Sequence, residues 1–184
     1  MIYYKVTLIL LITNLVIFAY INLNNIKPLQ YYLVPIYITN NISKYLITLL
    51  TSIFIHIDAI HIAFNSIALF FLGKILEPYI GSYRFLSLYI LAGISGGVLH
   101  TIYAFFVNNI YTPVIGASGA ISGIIGFSAA KGDKIALFWL LTQILLGLFS
   151  GIETIAFFAH IGGFVMGYTI GKIIRSDDIH ISYI

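Results

Sequence analysis

Apolar residues in this chain come in long blocks separated by short polar clusters, and the blocks cover residues 6–23, 59–79, 84–107, 117–130, 134–150 and 156–174. A helix that crosses a bilayer needs roughly 20 mostly apolar residues, with about 17–25 as the usual range. The blocks therefore predict six membrane-spanning helices. The fourth is short; its lack of charge, between Pro113 and Lys131, marks it as a helix buried among the others. The first follows Lys5 and has no small-x-small cleavage site after it, so it reads as a signal anchor rather than a removable signal. Between the first two spans, residues 24–58 form a long connection that begins polar, with Pro28 and Pro35, and ends in an apolar run over 45–55. That run is too short to cross and suits a piece lying in the outer membrane surface. The chain shows no internal repeat, no soluble domain and no low-complexity tail. The expected fold is all-α, one six-transmembrane helical bundle over 1–184 with a long interfacial loop between its first two helices.

Composition agrees. Of 184 residues, 60% are hydrophobic and 8% charged, and the mean hydropathy is +1.03, whereas soluble domains are about 45–50% apolar and about 25% charged. Charge this sparse excludes a soluble fold, a disordered chain and a nucleic-acid surface, and the formal net charge of +3 contains no basic cluster. The absence of cysteine removes disulfides, thiolate metal sites and a cysteine nucleophile. The placement of the few cations is more informative. With the N-terminus inside, Lys5, Lys74, Arg84, Lys131, Lys134, Lys172 and Arg175 fall on the inner side, and only Lys27 and Lys44 fall outside. That bias predicts both termini in the cytoplasm, for a multi-pass protein expected in a prokaryotic plasma membrane.

Polar residues at membrane depth are expensive and are functional candidates by default. His61, Asn65, His100, Ser118 and His160 are the ones to weigh. Spans two, four and six all enter from the outer side. They place His61, Ser118 and His160 at a similar shallow depth, given a rise of about 1.5 Å per residue. His61 and Asn65 are four apart and share a helix face. In span six, Gly163, Gly167 and Gly171 lie on or beside the face of His160, and span four carries Ser118, Gly119, Ser122, Gly123, Gly126 and Ala129. Small residues at such spacing let membrane helices approach closely, which would bring His160 within reach of Ser118.

A serine hydroxyl becomes a nucleophile when a base takes its proton, and histidine is the usual base. The intermediate then needs donors for its oxyanion. A serine at a helix start offers a backbone N–H and the positive end of the helix dipole. His61 and Asn65 offer side-chain donors, and Gly116 and Gly119 permit a tight turn and close substrate approach. Each residue also has a plainer reading, Ser118 as a cap and the histidines as interfacial or structural groups. His100 reads as structural, His56, Asp58 and Glu153 as interfacial, and His180 as part of a polar tail. A metal or haem site built on His56, His61 and His160 lacks any paired-ligand motif. No metal and no cofactor are expected. A transporter or channel is disfavoured because there is no repeat and no charge pair near the midplane.

These residues resemble the rhomboid family of intramembrane serine proteases. Gly116-Ala-Ser-Gly-Ala-Ile-Ser-Gly123 resembles its G-x-S-G nucleophile motif, and Ala159-His-Ile-Gly-Gly-Phe-Val-Met-Gly167 its A-H-x-x-G-x-x-x-G motif. His56-x4-His61-x3-Asn65 is similar to the H-x4-H-x3-N of the second span, and Glu77-Pro-Tyr-Ile-Gly-Ser82 to the E-x3-G-S turn after it. The resemblance covers about 44–171. It implies a Ser118–His160 dyad with no carboxylate member, and an oxyanion hole of the Ser118 N–H with His61 and Asn65, beside Gly116. The 24–58 loop and a loop over 151–157 would be its lateral dome and its lid. The implied partners are the lipid bilayer and transmembrane segments of other proteins, which enter sideways and unwind near small or helix-breaking residues; no nucleic acid is implied. A rhomboid-like pseudoprotease that binds transmembrane helices without cutting them is the alternative. Two positions depart from the pattern. Ile47-Thr48-Leu-Leu-Thr51 stands where the family often has Trp-Arg-x-x-Thr, which puts in question any anchor an arginine gives the loop through Glu77 or nearby backbone. Ser122 stands where an aromatic residue commonly packs on the base, and either leaves His160 less tightly held or hydrogen-bonds it.

Overall fold

The computed structural model describes residues 3–149 and 154–174. Among them the fold is all helical: α1 Lys5–Leu23, α2 Tyr37–Asn40, α3 Ile42–Thr51, α4 Ala59–Ile80, α5 Ser82–Phe106, α6 Ser118–Ala130, α7 Lys134–Phe149 and α8 Thr154–Ile173. Backbone polar groups in hydrocarbon must be satisfied within the segment itself. Apolar blocks of this length therefore fold as helices, and α1 and α4 to α8 start and stop within about two residues of the blocks. Three of them, α1, α4 and α5, are long and apolar enough to cross a membrane. The chain is an integral membrane protein.

Asp58 opens α4 by accepting from the His61 amide at 2.7 Å, and Asp133 opens α7 by accepting from the Ile135 amide at 2.9 Å. Gly81 closes α4 with φ +86°, a conformation that costs glycine little, and α5 begins at the next residue. The short α6 is the centre of the bundle, packed against α4, α5, α7 and α8. Nine of its residues are buried, among them Gly119, Gly123 and Gly126, as expected of a helix enclosed by others.

The small-residue stripes of α6 and α8 meet backbone to backbone. A Cβ added at Gly163 would overlap the Gly119 carbonyl, one at Gly167 the Gly123 carbonyl, and one at Gly126 the Phe164 carbonyl. The other side of α8 meets α5, where a Cβ at Gly162 would stand 2.7 Å from the Ser95 carbonyl oxygen. The Ser95 hydroxyl donates to the Gly162 carbonyl at 3.0 Å. In lipid there is no water to expel, so this close packing and these polar contacts bind the helices.

Glu77 is fully buried near the end of α4 and holds the start of α1. Its carboxylate accepts from the Val6 amide at 2.9 Å, the Thr7 amide at 2.7 Å, the Thr7 hydroxyl at 2.7 Å and the Ser82 hydroxyl at 2.6 Å. A negative group at these otherwise unpaired first-turn amides is favourable. Glu77→Gln turns one acceptor oxygen into a donor facing donors and costs about 2–3 kcal/mol. Thermal unfolding in detergent measures this, and an unchanged midpoint contradicts the assignment.

The 24–58 connection is tied to α5 and to the segment between α5 and α6. Leu33 pairs with Val114 in an isolated antiparallel bridge, the Ile36 amide donates to the Ile110 carbonyl at 3.0 Å, and the Tyr45 hydroxyl donates to Thr101 at 3.1 Å. These contacts anchor the loop without an arginine. Thr48, at that position, is buried and bonded within its own helix, to the carbonyls of Lys44 and Tyr45. Glu77 cannot serve as a loop anchor here, because it lies 16 residues, about 24 Å, along α4 from His61.

Candidate active site

Ser118 is the first residue of α6. The turn before it depends on Gly116, whose φ of +107° is a conformation that side-chain-bearing residues rarely adopt. The Gly116 amide donates to the Ser52 carbonyl at 2.9 Å, which fixes the turn against the later part of the 24–58 connection. Ser52 gave no signal in the sequence, since a backbone carbonyl leaves no mark on residue type.

Across from this turn, α8 carries His160. Its Nε2 lies 2.9 Å from the Ser118 Oγ, within range for the hydroxyl to donate to the neutral imidazole. The close contact of α6 with α8 makes this distance possible, and both side chains are half-buried. Ser122 does not serve the imidazole, because its hydroxyl donates to the Ser118 carbonyl at 2.7 Å.

His61 approaches from α4. Its backbone amide is held by Asp58, and its Nδ1 accepts a long bond from the Ile57 amide at 3.5 Å. That contact assigns the proton to Nε2. The Nε2 edge lies against the turn before Ser118: a Cβ added at Gly116 would be 2.7 Å from both Nε2 and Cε1. Asn65 is buried one turn further along, with its amide donating to the His61 carbonyl at 2.9 Å. Gly116, His61, Ser118 and His160 therefore gather at one place, while the Asn65 amide is turned toward its own helix.

His56 is buried, with its ring 5.1 Å from the His61 ring and tilted at 62°. Burial, and then the neighbouring His61, push its pKa down to about 4, so it is uncharged at neutral pH. Asp58 is exposed. His100 is fully buried and its Nε2 donates to the Thr112 carbonyl at 3.2 Å, a structural link between α5 and the following loop. Of the 151–157 loop, residues 154–157 belong to α8, while 151–153 lie outside the described residues, as do Glu153 and His180. The described acidic residues, Asp58, Glu77 and Asp133, all cap helices. Among the described residues no group of three or more His, Cys, Asp or Glu side chains is placed to hold a metal ion.

Beside the Ser118 hydroxyl is a small cavity of about 20 Å³, lined in part by Gly93, Gly97, Gly116, Gly119 and Ala159. That is room for one water or a methyl group. The arrangement sets a hydroxyl beside an imidazole at a helix start, with the His61 ring and a small cavity close by.

A profile of the Rhomboid domain matches residues 43–177. The chain is similar to the rhomboid protease GluP of Bacillus subtilis (strain 168), 39% identical over 129 residues, which are 65% of this chain and 24% of that protein. It is also similar to RHOMBOID-like protein 4 of Arabidopsis thaliana, 30% identical over 68% of this chain and 33% of that protein. The rhomboid protease AarA of Providencia stuartii is 28% identical over 63% of this chain and 51% of that protein. The chain thus spans between about a quarter and a half of the length of these relatives.

Proposed function

Because the chain belongs to the rhomboid family, we propose that it is an intramembrane serine protease that hydrolyses peptide bonds in or next to transmembrane segments of other membrane proteins. The observation that carries this reading is the 2.9 Å separation of Ser118 Oγ and His160 Nε2.

In the proposed reaction His160 takes the hydroxyl proton as Ser118 Oγ attacks the scissile carbonyl carbon. The oxyanion is held by the Ser118 amide, by the Nε2–H of His61, and by the second N–H of the Asn65 amide once its side chain turns toward the site. His160 then gives the proton to the leaving amine, and the C–N bond breaks to leave an acyl-enzyme on Ser118. Water, deprotonated by the same imidazole, attacks the ester and releases the acid. A dyad without a carboxylate suits a site where a buried anion is expensive.

In this reading the bundle crosses the membrane six times as a single domain over 1–184. Both termini are cytoplasmic in a prokaryotic plasma membrane, and the 24–58 loop lies in the outer surface. Substrate enters sideways and unwinds near small residues. The cavity beside Ser118 supports that preference, since its volume of about 20 Å³ is room for a methyl group and not for an aromatic ring.

The decisive experiment is labelling of the purified full chain with a fluorophosphonate probe. Covalent labelling that disappears in Ser118→Ala and falls to a small residual rate in His160→Ala supports the dyad. An unlabelled but folded wild type overturns it and leaves the helix-binding pseudoprotease. Gly116→Ala tests the turn. Its φ of +107° and the His61 ring at 2.7 Å both oppose a methyl group, so labelling slows on the order of tenfold to a hundredfold while the protein stays folded. A wild-type labelling rate in that variant removes His61 and Gly116 from the proposed site.

A further inference from the structure

We propose that Trp139 of α7 is a positioning residue that holds the His160 imidazole toward Ser118. This inference rests on the dyad reading above and adds a residue to it.

A general base works only if its ring is held at the right rotation about two side-chain bonds. The fixed backbone of α8 does not by itself set that rotation. The neighbour one helical turn after the nucleophile, Ser122, is committed to the Ser118 carbonyl. The Trp139 indole, in contrast, lies 6.2 Å from the His160 ring, centroid to centroid, at an angle of 49°. That is within the separation at which aromatic rings attract each other in tilted and offset geometries.

The indole is itself held. It stacks on Phe164 at 6.2 Å and 13°, and Phe164 stacks on Tyr168 at 6.5 Å and 16°. Phe164 and Tyr168 follow His160 at intervals of four on α8, so they share its helix face. Phe164 is buried, with its backbone against Gly126. Trp139 is therefore wedged between the base and a rigid aromatic column on the same helix. Loss of that wedge removes an aromatic contact from the imidazole without touching the substrate pocket. The chemical step suffers and binding does not.

Four variants of the full chain in detergent separate this role from simple packing: Trp139→Phe, Trp139→Leu, His160→Ala and the double variant Trp139→Leu/His160→Ala. Each is measured for its unfolding midpoint, its fluorophosphonate labelling rate at Ser118, and kcat and KM on a transmembrane reporter. Trp139→Leu is expected to slow labelling and lower kcat about tenfold, with KM within about twofold. Trp139→Phe keeps an aromatic face and stays within about threefold of wild type. In the His160→Ala background, Trp139→Leu has no further effect on residual labelling, because the two residues act as one unit. Three results overturn the proposal: a wild-type rate in Trp139→Leu, an equal loss with and without His160, or a rise in KM at constant kcat. If Trp139→Leu does not fold, a tenfold loss in folded Trp139→Phe overturns the aromatic wedge. Absence of labelling in the wild type overturns the dyad reading and this inference together, whereas labelling that is indifferent to Trp139 overturns this inference alone.

Discussion

Replacing Ser118 with Ala lowers the rate of cleavage of a transmembrane reporter by at least about 10⁴-fold, and His160→Ala does the same. The reason is geometric. The hydroxyl and Nε2 are 2.9 Å apart and, in the proposed reaction, form one proton-transfer unit. Removal of either half breaks that pair, so the double variant is no slower than either single one. The fold survives both changes. The helix start at Ser118 is set by Gly116, Ala117 and the Ser52 carbonyl, not by the serine hydroxyl. His160 sits on a helix held by its glycines. Cleavage assays on folded, reconstituted variants decide the matter, and near-normal cleavage by Ser118→Ala would falsify the nucleophile assignment.

Gly163→Val and Gly167→Val each abolish activity by unfolding the bundle, at a cost of more than about 3 kcal/mol. At both positions the first added carbon would overlap a carbonyl of α6, and backbone cannot step aside as the end of a flexible side chain can. Separating α6 from α8 also withdraws His160 from Ser118. Denaturant titration in detergent measures the loss. Val165→Ala, on the exposed face of the same helix between these glycines, serves as control and stays within about 0.5 kcal/mol of wild type. Equal stability of Gly163→Val and Val165→Ala would rule out backbone contact as the basis of the α6–α8 interface.

Much of this was legible in the sequence. The helices stand where the apolar blocks stand, the small-residue stripes mark the helices that touch, and Ser118 and His160, singled out by residue type and depth, meet in the fold. The sequence was silent on groups whose part is played by backbone or by neighbours from afar. The Ser52 carbonyl under Gly116, the burial of His56, the turn of the Asn65 amide toward its own helix, and the indole beside the base are of this kind. Glu77 was legible as part of a motif, but its task of capping α1 from 70 residues away was not.

By itself the sequence determined which segments are helical, that they belong in a membrane, and which few polar residues the chain retains there. Those properties are local: a helix in hydrocarbon satisfies its own backbone, so length, apolarity and period suffice. Only the tertiary structure decided which atoms meet. The rotation of each helix and the distance between axes are fixed by contacts such as Gly163 on the Gly119 carbonyl. A shift of a single carbon there separates a hydroxyl from its base.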